Sequence, residues 1–328
     1  MTKGIFILDN YDLIYGSAGK KIREMIDIYA EPQTKISLRE NLSLLSQAEV
    51  IFSGWGCPVM DEEFLAAAPN LKAVFYGAGS IKGFVSDAFW ERDILVTSAY
   101  AANAIPVIEF TISQILFSLK RGWFYVNKIK KDKAYPSRQE TVPGAFGSTV
   151  GIISLGMIGR GVCEKLRQFD VDVIAYDPYV KPEIADELGV ELCSLEEIFQ
   201  KSDVVSLHAP WINETVGLIT GVHLASMKKN ATFINTARGA IVREDEMIEV
   251  LQNRPDITAL LDVTYPEPPV HGSPLYTLDN CILTPHIAGS LSNECNRMGE
   301  YMFEELERYL VGDELKWKIT KKQSVLMA

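Results

Sequence analysis

Histidine is scarce: there are four in 328 residues, and no two share the H-x-x-x-H spacing of a zinc site, so no metal is expected. Cysteine offers no framework either. Cys57, Cys163, Cys193, Cys281 and Cys295 form an odd, scattered set without a C-x-x-C pair, which argues against disulfides and for reduced thiols in a cytoplasmic protein. Basic charge is also short. Thirty-two Lys and Arg against 43 Asp and Glu leave a net charge of −11, and an acidic surface repels phosphate backbones, so no nucleic-acid partner is expected. Nor is a membrane partner. The opening MTKGIFILDN meets Asp9 before it could form a signal core, and the apolar stretch 104–119 carries Glu109 and Gln114, so it reads as too short and too polar to span a bilayer. What remains is 47% hydrophobic and 23% charged, enough for a full core, at a length that suggests two domains.

The first hundred residues alternate short β-branched runs with helical stretches. Strands are expected at 4–8, 35–38, 50–53, 72–76 and 94–97, and helices at 20–29, 42–47 and 61–68. Such alternation builds a parallel sheet covered on both faces. After the first strand stands Asp9-Asn10-Tyr11-Asp12, not a phosphate-binding glycine loop. One long helix is expected over 106–130, entered at Pro106, followed by a turn-rich surface connection over 135–148. A second alternating series then places strands at 150–154, 171–176, 204–207, 232–235, 258–261 and 282–284, with a last helix over 293–310.

The second series opens with Thr149-Val-Gly-Ile-Ile-Ser-Leu-Gly-Met-Ile-Gly-Arg, a strand running into a helix. Gly156 and Gly159 hold the last two positions of a G-x-G-x-x-G turn, and Ser154 replaces the first glycine. Such a turn lets the backbone approach a pyrophosphate, which the helix N-terminus then stabilises. Asp177 follows 18 residues after Gly159, at the end of the next strand, where an acid accepts from a ribose 2′-hydroxyl and repels a 2′-phosphate. The cofactor expected is NAD, with NADH preferred over NADPH.

Further strands end in reactive groups: Arg238 after 232–235, Asp262 after 258–261 and His286 after 282–284. In an open parallel sheet ligands bind outside the carboxyl ends of the strands, so these residues should converge with Asp177. Glu267 lies in the proline-bracketed run Tyr265-Pro-Glu-Pro-Pro269, stiff enough to hold a carboxylate in place. His208 also follows a strand, where it either faces the cofactor or caps the turn; His223 and His271 read as surface residues.

These residues resemble the NAD-dependent D-2-hydroxyacid dehydrogenase family over nearly the whole chain, most closely in TVGIISLGMIG, SLHAPWINETVGLI, NTARGAIV, LDVTYPEPP and LTPHIAG. The resemblance implies a Rossmann cofactor domain over 101–292, inserted into a flavodoxin-like substrate domain made of 1–100 and 293–328, both doubly wound α/β. It assigns catalysis to Arg238, Glu267 and His286. It brings Met157 and Ile158 to the pyrophosphate through their backbone, and Pro210, Thr236, Ala237 and Asp262, with Arg238 and His286, to the cofactor. It also places Ala78 and Gly79 of Gly77-Ala-Gly-Ser80 on the substrate carboxylate. Arg238 would clamp a small 2-keto acid by its carboxylate and polarise its carbonyl. His286 would hold the proton that is exchanged, with Glu267 fixing the ring's tautomer and favouring its protonated form. A homodimer through the cofactor domains is implied as well.

The family tends to carry Asp or Asn after that loop, where this chain has Ile81-Lys82, so the substrate side chain stays open. Asn10, Tyr11, Trp55 and Tyr100 are candidate pocket walls, and Lys82 reads as solvent-facing. Two other readings stand beside the dehydrogenase. One is a dinucleotide-sensing corepressor of the same fold, against which the lack of basic tails argues. The other is a phosphite-type dehydrogenase; formate oxidation is disfavoured because the family's formate dehydrogenases have Gln where Glu267 stands.

Overall fold

The computed structural model of the chain describes residues 1–136 and 142–327, so part of the turn-rich connection, residues 137–141, lies outside the described residues. Two compact units share the chain. One comprises Met1–Ala104 with Ser290–Met327, the other Ile105–Gly289.

The first unit is built on strands β1 (Lys3–Ile7), β2 (Asp27–Ile28), β3 (Val50–Ser53), β4 (Ala73–Tyr76) and β5 (Leu95–Ser98). All pair in parallel, in the order β2-β1-β3-β4-β5, the flavodoxin-like arrangement. Alternation along each strand sends side chains to two buried faces. Ile5, Ile7, Ile51, Val74 and Val96 pack on one side, and Phe6, Val50, Phe52 and Phe75 on the other.

The second unit contains β6 (Ser148–Ile153), β7 (Val171–Tyr176), β8 (Glu191–Leu192), β9 (Val204–Leu207), β10 (Thr232–Asn235), β11 (Thr258–Leu261) and β12 (Cys281–Leu283). Their order, β12-β11-β10-β9-β6-β7-β8, reverses direction beside β6, where the chain crosses from one half of the sheet to the other. That reversal is the topological switch point at which a dinucleotide crevice forms. Both doubly wound sheets expected from the sequence are therefore present.

Several local expectations are corrected. Residues 35–38 form no strand: Thr34 accepts from the Ser37 N–H in a capping box, and Lys35–Glu40 coils into a helix. Lys35-Ile36-Ser37-Leu38 holds one β-branched residue, too little strand preference to outweigh the cap. The helix expected over 20–29 stops at Met25, and Asp27–Ile28 leaves it to pair with β1. The long helix over 106–130 is two helices, Tyr100–Leu119 and Gly122–Asp132. Arg121 turns left-handed between them at φ 52°, and the Phe117 ring lies where a side chain at Gly122 would stand. Pro106 sits inside the first of these helices rather than at its entry, forgoing one backbone hydrogen bond. That helix has 20 residues and is long and apolar enough by composition to cross a membrane, contrary to the sequence estimate; 56% of its most apolar window is buried within the protein.

Candidate active site

The register of the second sheet sets its strand ends in one row. Ile153 of β6 pairs with Tyr176 of β7 and with Leu207 of β9. Asn235 of β10 pairs with Leu207 and with Leu261 of β11, which in turn meets Leu283 of β12. The residues just past that row are Ser154, Asp177, His208, Thr236, Asp262 and Thr284. Of the residues expected to converge, Asp177 and Asp262 stand directly past the row, and Arg238 and His286 follow two residues after Thr236 and Thr284, a direct product of parallel pairing.

At the switch point the chain leaves β6, turns through Ser154 and Leu155, and enters the helix Met157–Leu166 at Gly156. Ser154 carries φ +77°, the left-handed backbone for which the replaced glycine is suited, at a cost on the order of 1 kcal/mol. A side chain at Gly159 would collide with the Ser154 carbonyl oxygen, so this glycine lets the helix close onto the turn. Gly156 faces open space instead, and no side chain caps the helix start behind it. The Met157 and Ile158 amides, in that first turn, therefore present an uncrowded anion cradle of the kind a pyrophosphate requires. Asp177 lies beside it. Its Oδ2 accepts from the Leu155 N–H at 2.7 Å, and its Oδ1 from the Tyr179 and Val180 N–H groups at 2.8 and 3.0 Å. The carboxylate is fixed at the end of β7 and ties it to the glycine turn. These residues fit a dinucleotide.

Past β10, buried Asn235 pins the turn that carries Arg238. Its Oδ1 accepts from the Ala237 N–H and its Nδ2 donates to the Arg238 carbonyl, each at 3.0 Å. Thr236 is also buried, its hydroxyl 3.3 Å from that of Thr111. Arg238 Nη1 donates to the Ala237 carbonyl at 2.6 Å. Burial lowers the guanidinium's pKa, and the charge of Glu267 opposes that shift. A side chain on Gly239 would strike the backbone of Thr264, so the Arg238 turn and the loop leading to Glu267 touch main chain to main chain.

Asp262 is a buried brace. It is 3% exposed; its Oδ1 accepts from the Thr284 hydroxyl at 2.5 Å and the Ile287 N–H at 2.9 Å, and its Oδ2 from the Ala288 N–H at 2.9 Å. The Asp262 carbonyl takes the His286 N–H at 2.9 Å. One buried carboxylate thereby braces the segment in which His286 adopts φ +54°, a conformation uncommon for a residue with a side chain. The outcome is the central contact of the site: His286 Nδ1 lies 2.7 Å from Glu267 Oε1, with both side chains nearly half exposed. A histidine oriented by a carboxylate on Nδ1 leaves Nε2 to work.

His208 is buried and its ring turns back toward the strand it follows. It is 8% exposed, its Nε2 lies 3.0 Å from the Ser206 hydroxyl, and its Nδ1 has no hydrogen-bond partner. Burial drives its pKa from 6.5 down to about 3, so it stays neutral and moves no proton near pH 7. Between those two values the unfolded chain binds a proton that the folded one refuses, so this group makes stability fall as pH falls. At about pH 4.5 the loss amounts to ~2–3 kcal/mol, at ~1.4 kcal/mol per pH unit. His208→Gln should flatten that acid slope in urea titrations; parallel stability–pH curves for variant and wild type would contradict it.

In the first unit, Ile7, Ser53, Tyr76 and Ser98 form the corresponding row of strand ends. The turn Gly77–Ala78–Gly79 follows β4, and the Ser98 hydroxyl lies 2.9 Å from the Ala78 carbonyl and 2.5 Å from that of Gly79. Trans peptides point N–H opposite to C=O, so the Gly79 and Ser80 amides face away from Ser98. Sequence reasoning singled out Ala78 and Gly79; Ser98 and the Ser80 amide were missed, because only the folded turn shows which way its peptides face. Ile81 is fully buried and Lys82 is exposed. Tyr11 packs edge-on against Phe6, with its hydroxyl over Gly19, and so is a packing residue; Trp55 stays 40% exposed.

Comparisons with known proteins agree with this geometry. Residues 113–288 match the D-isomer specific 2-hydroxyacid dehydrogenase, NAD binding domain. The chain is 34% identical over 260 residues to a glyoxylate reductase of Thermofilum pendens, covering 77% of this chain and 76% of that protein. It is 31% identical over 313 residues to a D-3-phosphoglycerate dehydrogenase of Methanocaldococcus jannaschii, covering 92% of this chain. The chain spans about half the length of the phosphoglycerate dehydrogenases it matches, 57% of the archaeal protein. In fold it is similar to a D-isomer specific 2-hydroxyacid dehydrogenase from Lactobacillus delbrueckii ssp. bulgaricus, with a TM-score of 0.82 at 20% identity over 97% of this chain and all of the other. With the matched cofactor domain covering more than half of the chain and a relative covered over three quarters of its length, this chain belongs to the D-isomer specific 2-hydroxyacid dehydrogenase family.

Proposed function

We propose that the protein interconverts a small 2-keto acid and its D-2-hydroxy acid, and that it prefers NADH to NADPH. The observation that carries the reading is the 2.7 Å His286–Glu267 pair, set past the same row of strand ends as the glycine turn. When bound, the nicotinamide supplies or accepts the electron pair as hydride. The remaining work falls to the chain. Arg238 presents a desolvated planar fork that fits a carboxylate and a carbonyl oxygen together. His286, held through Nδ1 by Glu267, offers Nε2–H to the carbonyl oxygen in reduction and accepts the hydroxyl proton in oxidation. Gly156, Met157, Ile158 and Gly159 would cradle the pyrophosphate, and Asp177 the ribose hydroxyls.

The test is an NADH-oxidation screen against glyoxylate, hydroxypyruvate, pyruvate, phenylpyruvate, branched 2-keto acids and 3-phosphohydroxypyruvate. Turnover of at least one is expected. NADH binding without turnover on the whole panel would favour the dinucleotide sensor instead.

The Asp177 carboxylate supports the coenzyme preference, because a 2′-phosphate would meet it charge to charge. Asp177→Asn keeps a hydrogen-bond acceptor and removes the charge. The ratio of kcat/KM with NADPH to that with NADH should rise by about tenfold or more, since opposed like charges cost several kcal/mol. An unchanged ratio would leave the preference without its cause. We also infer a homodimer. The helix Gly122–Asp132 buries none of its residues, and Phe117, Tyr135 and Phe146 are exposed nearby in sequence. Light scattering should return twice the chain mass; a monomer would refute it.

A further inference from the structure

The helix Glu244–Asn253 starts a few residues after Arg238, and the residues at its start grip two other loops. Arg243 Nε donates to the Gly217 carbonyl at 3.1 Å, and Glu246 Oε2 accepts from the Gly221 N–H at 2.7 Å. The first holds the loop that follows β9, and the second the start of the helix Gly221–Ala225 that the loop leads into. Glu244 reaches elsewhere: its Oε2 accepts from the Tyr265 N–H at 3.1 Å, two residues before Glu267.

We propose that Glu244 is a positioning residue for the acid–base pair, its carboxylate anchoring loop 264–267 to the helix that follows Arg238 and so keeping Glu267 in reach of His286. The inference rests on the catalytic reading above. The ordinary role of an acid in a helix's first turn is to complement the helix dipole. Asp245 and Glu246 already do so here, and neither that role nor a cap requires a bond to an amide 21 residues away. The Tyr265 ring meets the Trp211 ring edge-on, centroids 5.6 Å apart, which holds its side chain but leaves the loop's main chain to other contacts. Tyr265 is 57% exposed, and the Thr264 hydroxyl spends itself within the loop, on the Pro266 carbonyl at 2.9 Å. On its inner side the loop abuts Gly239, a contact that sets how near it can come but does not hold it there. Glu244 is half-buried: desolvation raises its pKa, the Tyr265 N–H lowers it, and Asp245 raises it. The Cys281 thiol is the titratable group that feels its charge from β12.

Two substitutions separate reach from charge. Glu244→Asp keeps the charge at the helix start but is one methylene too short for the Tyr265 amide. Glu244→Gln loses the charge and keeps an acceptor oxygen at full reach. Each is compared in the full chain by steady-state kinetics, and by the low-field proton resonance of the His286 Nδ1–H bridged to Glu267, assigned by its loss in His286→Gln. For Glu244→Asp, kcat should fall about tenfold to a hundredfold with KM for NADH unchanged, and the resonance should weaken. Glu244→Gln should retain most of both. Glu246→Ala, which removes a similar bond from the start of the helix Gly221–Ala225, should lower the melting temperature without moving either reading. The proposal is overturned if Glu244→Asp behaves as wild type, if Glu244→Gln is as impaired as Glu244→Asp, or if Glu246→Ala disturbs the resonance equally. Should the wild type reduce no keto acid, the catalytic reading fails while the resonance still decides whether Glu244 positions the pair.

Discussion

Arg238→Ala is expected to lower kcat/KM for keto-acid reduction by about a hundredfold to a thousandfold, the ~2.7–4 kcal/mol that a preorganised donor to a developing oxyanion is worth. The size follows from how the residue is held. Asn235 bonds the turn on both sides of Ala237, so the Arg238 backbone is placed before any substrate arrives. Its guanidinium is desolvated enough to lower its pKa, and there a charge acts through less water than at the surface. Arg238→Lys should recover little, because an ammonium cannot grip a carboxylate and a carbonyl as a planar fork does. Steady-state kinetics on the best substrate of the screen measures both variants. Wild-type kcat/KM in the alanine variant would remove Arg238 from catalysis, and full rescue by lysine would show that charge alone matters.

The sequence foretold the strand ends better than what braces them, and the reason is physical. Short β-branched runs separated by helical stretches mark a parallel sheet, and parallel pairing aligns carboxyl ends, so Asp177, Asp262 and the turns bearing Arg238 and His286 could be placed from chain order alone. Bracing is tertiary. Asn235 looks like any polar residue closing a strand, yet it is 1% exposed and bonds both sides of the Arg238 turn. Asp262 could be placed at a strand end, but nothing in the chain order shows that its oxygens brace the loop that carries His286. Glu244 has the sequence signature of a helix-start acid and nothing that points to Tyr265. Local misreadings had local causes: a Thr34 cap outcompeted a four-residue strand-like run at 35–38, and the helix expected over 106–130 broke at Arg121, whose left-handed turn only the neighbouring Gly122 foreshadowed.

Gly239→Ala is expected to be nearly as damaging as losing Arg238, although it adds one methyl group and removes no functional atom. The added carbon would fall on the Thr264 carbonyl, main chain that cannot rotate away as a flexible side chain would. Either the Arg238 turn or the 264–267 loop must then retreat. If the turn moves, the guanidinium leaves its position; if the loop moves, Glu267 draws away from His286 Nδ1, now 2.7 Å distant. A displacement of about 1 Å at a reacting group costs on the order of a hundredfold in rate, and overpacking a close contact costs about 1–3 kcal/mol of stability. The expected signature is therefore a drop of about a hundredfold in kcat together with a lower urea midpoint, with NADH affinity, for which the glycine turn at β6 is the proposed main determinant, falling less than kcat. Gly156→Ala should do the reverse, since its methyl group would enter open space where the pyrophosphate is to lie: unchanged stability with weakened NADH binding. If Gly239→Ala kept full kcat, main-chain contact between the two loops would have no part in aligning arginine, carboxylate and imidazole, and the site would owe its geometry to the strand ends alone.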